Sequence, residues 1–319
     1  MKALLALLLA AAPLVASAQA YPTKPVKIIV PAQPGGGLDL VGRTIGDQLG
    51  RALDQSFIIE NVGGAGGTLA SMNTARAAPD GYTLMVGYVG THGTNPAVRK
   101  LQYDAIKDFT PIAMVGGTPN LLVVAPSVPA ADLKSFVDYA KANPKKLNFG
   151  TGGIGLLNHL ALEQFRGAAG LEGVDYVHYK GMGPAIADML GGQIQVLMPG
   201  LAAALPHIRA GKIKPLAITG LQRNPLVPDL PTFEELGFKG LDGVQWYGIV
   251  GPARLPPDLT RRLNAEINKA ITSPALQQRL AAEALQVMPM SPEEFGKFIQ
   301  ADIARWSALA KERNIHLDD

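Results

Sequence analysis

The chain has 319 residues, of which 47% are hydrophobic and 17% charged, enough apolar side chains to close about two packed cores and too many for a globally disordered chain. It contains no cysteine, which excludes disulfides, thiolate nucleophiles and cysteine-ligated zinc. Its 29 basic and 26 acidic residues leave a net charge of +3 scattered along the sequence, and aromatics are 6%, so no nucleic-acid partner is expected: a basic stripe and a stacking platform are both missing.

Residues 1–20 carry Lys2, run apolar from Ala3 to Val15 and end in Ala16-Ser17-Ala18 and Ala18-Gln19-Ala20, the pattern of a cleavable signal peptide. The apolar run is shorter than the roughly 20 residues that span a bilayer. Cleavage is expected after Ala20 ahead of Ala18, with export to a bacterial periplasm.

Val26 to Val30 reads as a strand, and Leu38, Val41, Ile45, Leu49 and Leu53 recur every three or four residues, which predicts a helix with one buried face. Phe57 to Glu60 is a second strand, Thr68 to Ala77 a helix and Tyr82 to Tyr88 a third strand. Leu121 to Ala125 is another apolar run, followed by a helix from Asp132 to Ala142 that stops before Pro144. Leu147 to Gly150, Asp175 to His178, Gln195 to Met198 and Leu216 to Thr219 read as strands of a second sheet, with helices at Leu156 to Phe165 and Pro184 to Leu190 between them. Pro and Gly thicken over Asn224 to Gly243, which predicts irregular chain, and helices follow at Pro257 to Thr272, Ala275 to Ala284 and Pro292 to Glu312. This alternation predicts an α/β fold with largely parallel sheets.

A strand repeatedly runs into a glycine-rich turn that opens a helix: at Pro34-Gly35-Gly36-Gly37, Gly63-Gly64-Ala65-Gly66-Gly67, Gly150-Thr151-Gly152-Gly153-Ile154-Gly155 and Lys180-Gly181-Met182-Gly183. The first N–H groups of a helix lack intrahelical acceptors, glycine lets a guest approach the backbone, and the helix dipole favours an anion. Four such turns predict a shared oxyanion site. Asp39 beside the first turn is expected to cap or orient it, because its own charge would repel an anion.

Catalytic patterns are missing: there is no Walker lysine, no Gly-x-Ser-x-Gly elbow and no His-Glu-x-x-His helix, and no histidine has a partner at metal-ligand spacing. No catalytic residue, metal or cofactor is therefore assigned. The alternative is a secreted dinucleotide-dependent oxidoreductase using the Gly150 to Gly155 turn, with Asp175 at ribose-binding distance along the chain.

Pro34 to Arg43, Asn61 to Gly67 and Asp80-Gly81-Tyr82-Thr83-Leu84, with Asp108-Phe109-Thr110-Pro111-Ile112, Tyr179-Lys180-Gly181 and Leu230 to Gly237, give the chain a resemblance to a known family. It resembles the Bug-type substrate-binding proteins of tripartite tricarboxylate transporters, over nearly the whole mature length. The resemblance implies a two-lobe periplasmic binding protein of type II-like, Venus-flytrap architecture. Residues 22–120 with 244–319 would form the first lobe and residues 121–243 the second. It also implies a monomer that captures a small carboxylate and partners the transporter's membrane subunits.

Carried onto this sequence, the first-lobe site is Gly35, Gly36, Gly37 and Asp39, joined by Thr91 and His92. The second lobe offers Thr151, Gly152, Gly155, Leu156, Asn158 and Tyr179, with Met198, Pro199 and Gly200. Tyr179 and Trp246 are candidates to wall a ligand, and core packing is the favoured role of Trp246. Leu156 stands where similar proteins usually have a hydroxyl, Gln195 and Pro199 where acids are frequent, and His178 where proline is common. These departures imply a distal pocket suited to a hydrophobic or aromatic carboxylate.

Overall fold

The computed structural model describes residues 21–317; the expected signal peptide lies outside them. In chain order the elements are β1 (Val26–Val30), α1 (Gly37–Leu53), β2 (Phe57–Asn61), α2 (Thr68–Ala75), β3 (Thr83–Tyr88), α3 (Asn95–Val98), β4 (Phe109–Thr118) and β5 (Leu121–Val124). Then come α4 (Leu133–Ala142), β6 (Asn148–Thr151), α5 (Leu157–Ala169), β7 (Asp175–His178), α6 (Met182–Leu190), β8 (Val196–Leu197), α7 (Leu201–Arg209) and β9 (Lys214–Ile218). The chain ends with β10 (Gln245–Pro252), α8 (Pro257–Ile271), α9 (Pro274–Ala282), β11 (Gln286–Val287) and α10 (Pro292–Arg313). Among the described residues no helix is long and apolar enough to cross a membrane.

Two sheets result, a six-stranded one ordered β11-β4-β10-β3-β1-β2 and a five-stranded one ordered β7-β6-β8-β5-β9. Each is covered on both faces. In the first, Val26, Ile28 and Val30 pack toward α1 and α8, while Ile29 and Met85 face α2 and α10. In the second, Phe149 and Leu122 meet Phe136 and Phe165 of α4 and α5, and Leu121 and Val123 meet α6 and α7. Burial on both sides explains why the strands read as continuous apolar runs.

The helices start and stop where local chemistry dictates. Asp132 with Ser135, and Ser291 with Glu294, form reciprocal capping boxes at α4 and α10. Asp54 and Asn314 end α1 and α10 in the left-handed conformation, which satisfies carbonyls of the last turn.

The sheets are mixed rather than largely parallel. β1 pairs in parallel with β2 and β3, but β10 runs antiparallel to both β3 and β4, and β5 runs antiparallel to β8 and β9. β4 hides in the sequence because Pro111 and Gly116-Gly117 interrupt it. Pro111 sits at a register shift against β10, where a missing N–H is tolerated. A Cβ on Gly116 would collide with the Gln286 carbonyl, so glycine is what lets β11 pair there. In β10, Gly248 leaves room for the Phe295 ring, which meets Trp246 edge to face at 5.7 Å. Helix α7 was not indicated by the sequence pattern and runs unbroken through Pro206.

The chain passes from the first sheet to the second through Thr118-Pro119-Asn120 and returns through the segment before Gln245. Gln245 pairs with Thr118, so the two passages lie side by side.

Candidate functional site

Beside those passages lies a cleft of about 440 Å³, a volume suited to a small organic molecule. Its walls come from both sheets, and its lining contains no lysine, arginine or histidine.

On the first-sheet side the wall is the β1–α1 turn, Gly35, Gly36 and Gly37, with Leu40 one turn on. Gly35 has a φ of 95°, which glycine adopts without strain. The Gly35 N–H donates to Asp39 Oδ2 at 3.0 Å, while the N–H groups of Gly36 and Gly37 have no acceptor among the described residues. Asp39 is 5% exposed and also accepts from Arg43 Nε at 2.9 Å and Asn61 Nδ2 at 3.0 Å. The Arg43 bond leads in holding its carboxyl at about 2, well below the usual range. Asp39 therefore fixes the turn as an ionised acceptor.

Facing it are the first turns of three helices of the second sheet: Asn158 of α5, Met182 of α6, and Ala202 and Ala203 of α7, with Gly200 as the residue before α7. The N–H groups of Asn158, Met182, Ala202 and Ala203 likewise have no acceptor among the described residues. Four helix starts thus point partial positive charge and free donors at one space.

Thr118, Asn120, Gln245 and Tyr247 form the floor. Gln245 Nε2 donates to the Tyr247 hydroxyl at 2.9 Å, and burial raises the Tyr247 pKa, so that phenol stays protonated. Glu283 and Leu285 complete the rim. None of these six was expected from the sequence; their signal is faint, polar residues interrupting apolar runs where one sheet passes into the other.

Of the residues proposed from sequence, Gly35, Gly36, Gly37, Asn158 and Gly200 come together on the cleft. Asp39 lies behind the turn as its support. Thr91 and His92 do not reach it: both are fully buried, Thr91 accepts from Tyr103 at its carbonyl, and His92 packs edge-on to Phe109 at 4.5 Å. Met198 and Pro199 are buried, with their carbonyls bonded to Asn120 Nδ2 and Leu121 N–H. The Tyr179 hydroxyl turns away to Asp188 Oδ2 at 2.7 Å. Trp246 is core, its Nε1 donating to Asp302 Oδ2 at 2.8 Å.

The β6–α5 turn satisfies itself. Gly152 N–H donates to Asn158 Oδ1 at 2.9 Å, Gly153 N–H to Thr151 Oγ1 at 3.3 Å and Gly155 N–H to His159 Nδ1 at 3.1 Å. Leu156 precedes the helix and its N–H reaches Gly153 at 3.4 Å. Leu156, Thr151, Gly152 and Gly155 therefore shape the turn without lining the cleft, and no diphosphate cradle is left open. Asp175 pairs with Lys145 at 3.6 Å. Among the described residues no cluster of three or more His, Asp or Glu is arranged for a metal ion.

The sequence matches the family described as "Tripartite tricarboxylate transporter family receptor" over residues 41–315. It is 32% identical to Protein BugT of Bordetella pertussis, covering 94% of this chain and 93% of that one. Among solved structures it is 33% identical to Rpa4515 of R. palustris with adipate, with a TM-score of 0.81 over 93% of this chain and 99% of that one. It is also 33% identical to MatC of Rhodopseudomonas palustris with bound malate, with a TM-score of 0.76 over 91% and 99%. These likenesses establish the two-lobe α/β binding-protein fold, and the family is one of transport receptors, so the oxidoreductase alternative is not supported. The chain belongs to the receptor family of the tripartite tricarboxylate transporters.

Proposed function

We propose that this protein is a periplasmic receptor that captures a small organic carboxylate between its two lobes and delivers it to the membrane subunits of a tripartite carboxylate transporter. The observation that carries this reading is the convergence of four helix first turns, from both sheets, on one cleft without a basic side chain. Unpaired N–H groups and helix dipoles suit a carboxylate. The adipate and malate bound by the relatives are of that class.

The lobes of this reading are residues 22–120 with 244–319, and 121–243, in keeping with the sheet to which each strand belongs. A ligand touching both lobes stabilises the closed arrangement by its differential affinity for it. The receptor acts as a monomer after removal of residues 1–20. Leu40, Met182, Ala202, Ala203 and Leu285 give the cleft apolar walls, which favours a ligand with a hydrophobic or aromatic body.

Calorimetry of the mature protein against a carboxylate panel tests this. Binding of one or more acids, with hydrophobic or aromatic acids ahead of citrate, is expected. Binding of none contradicts the receptor reading, and a strong preference for citrate contradicts the apolar one.

A further inference from the structure

We propose that α5 is the pivot on which the two lobes turn, and that Arg313 of α10, seated on Gly167 of α5, is the positioning residue that sets the angle between them. The inference rests on the two-lobe reading and is independent of which acid the cleft takes.

Helix α5 belongs to both cores. Ala161, Leu162, Phe165 and Ala169 pack with Phe136 and Phe149 of the second lobe. Leu157 and Leu160 instead enter the first-lobe cluster of Val98, Trp306, Leu309 and Ile315, where Leu160 is fully buried. Gln164 and Gly167 continue that second face at steps of three and four residues. The Gln164 amide donates to the Gly240 carbonyl at 2.8 Å, in the chain returning to the first lobe, and the Arg313 guanidinium occupies the place where a Cβ on Gly167 would stand. Just ahead of the helix, a Cβ on Gly155 would stand 2.7 Å from Val98 and 2.9 Å from Leu317, and the Leu317 N–H donates to the Val98 carbonyl at 2.8 Å.

Swinging the lobes apart about the crossing passages alone would draw Leu157 and Leu160 out of the first-lobe core into water. Rotation about the length of α5 leaves both buried. It moves α6 and α7, with the N–H groups at their starts, against the glycine turn of the first lobe. Packed interfaces yield little, so what lies between α5 and α10 sets the resting angle. Arg313 lies there with only 18% of its side chain exposed, and glycine at 167 is what lets it sit so close. The resting angle fixes the fraction of molecules ready to close, and apparent affinity scales with that fraction.

The test is pulsed electron paramagnetic resonance on the mature protein, whose sequence has no cysteine, so that introduced pairs carry the only spin labels. Ala168→Cys with Lys311→Cys spans α5 to α10, and Asp47→Cys with Arg209→Cys spans from α1 of one lobe to α7 of the other; all four positions are exposed. The α5–α10 distance is expected to be narrowly distributed and to stay within about 1 Å when adipate or malate is added, while the lobe-to-lobe distribution is at least about twofold broader. In Arg313→Ala and Gly167→Leu the lobe-to-lobe distance of the ligand-free protein is expected to shift by more than about 2 Å, with the circular dichroism spectrum unchanged. Should Gly167→Leu fail to fold, Arg313→Ala, which only removes a side chain, carries this arm. An α5–α10 distribution as broad as the lobe-to-lobe one, or one that moves with added acid, overturns the pivot. An unmoved lobe-to-lobe distance in Arg313→Ala overturns the positioning role. The deciding widths and shifts are read on ligand-free protein, so failure of the acids to bind contradicts the receptor reading and leaves this one standing.

Discussion

The hydroxyl of Tyr247 lies 3.0 Å from the point where a Cβ on Gly37 would stand. Strand β10 thereby closes against the first turn of α1, and glycine at position 37 keeps the turn's N–H groups and the phenol side by side. Gly37→Ala pushes the two apart by a few tenths of an ångström. We expect carboxylate affinity to fall about tenfold, the value of one well-made hydrogen bond, with little change in Tm. Tyr247→Phe in the same chain removes the contact and should recover part of the loss; calorimetry on both variants reads the effect.

Asp39 ties Gly35, Arg43 and Asn61 into one unit beneath the same turn. Asp39→Ala removes the charged acceptor of the part-buried Gly35 N–H and Asn61 amide, at a cost of about 1–2 kcal/mol, and frees the turn to move. Denaturant unfolding should show that loss, and calorimetry a weaker affinity for every acid bound. Unchanged stability and affinity would contradict the supporting role.

Acid should weaken the protein before its carboxylates titrate. Burial lowers the His159 pKa to about 4 and the His92 pKa to about 3, both below the ordinary 6.5. The unfolded chain therefore binds more protons than the folded one between pH 6.5 and 4. Stability is full above 6.5 and falls as pH drops through this window, by up to about 1.4 kcal/mol per pH unit for each group. Asp302 acts in the opposite sense: burial raises its pKa, so its own contribution grows as pH falls through that raised value. Denaturant midpoints from pH 7 to 4.5 should decline, and His159→Gln should remove about one proton from the slope. A flat profile over this range would refute the assignment.

Asp302 joins α10 to β10 by accepting the Trp246 Nε1 proton at 2.8 Å, and Arg305 beside it binds Asp242 at 2.6 Å ahead of the same strand. Asp302→Ala leaves the fully buried indole N–H unpaired. A loss of about 1–3 kcal/mol is expected, read by urea unfolding with tryptophan fluorescence, which would also shift. A stability change below about 0.5 kcal/mol would show that the pair contributes only the ordinary variation of a surface substitution.

Local periodicity made β1, α1, α4 and α10 legible, because Val41, Ile45 and Leu49 or Phe295, Ile299 and Trp306 announce one buried face by spacing alone. The direction of the strands was not legible: Gln245 opposite Thr118 is a pairing across more than a hundred residues, with no trace in either segment. The same distance hid the floor of the cleft. The walls were visible at Gly35 to Gly37 because glycines before a helix have a local meaning. Thr91 and His92, named through resemblance, instead fill the core beneath β4, which spacing could not decide.

The central claim is that main-chain N–H groups at opposed helix starts, with no basic side chain, hold the anion. A crystal structure of the mature protein with a bound organic acid tests it most directly. The account predicts carboxylate oxygens about 2.7–3.1 Å from N–H groups of Gly36 or Gly37 and of the first turn of α5, α6 or α7. A ligand carboxylate paired with lysine or arginine, or seated outside this cleft, would contradict it.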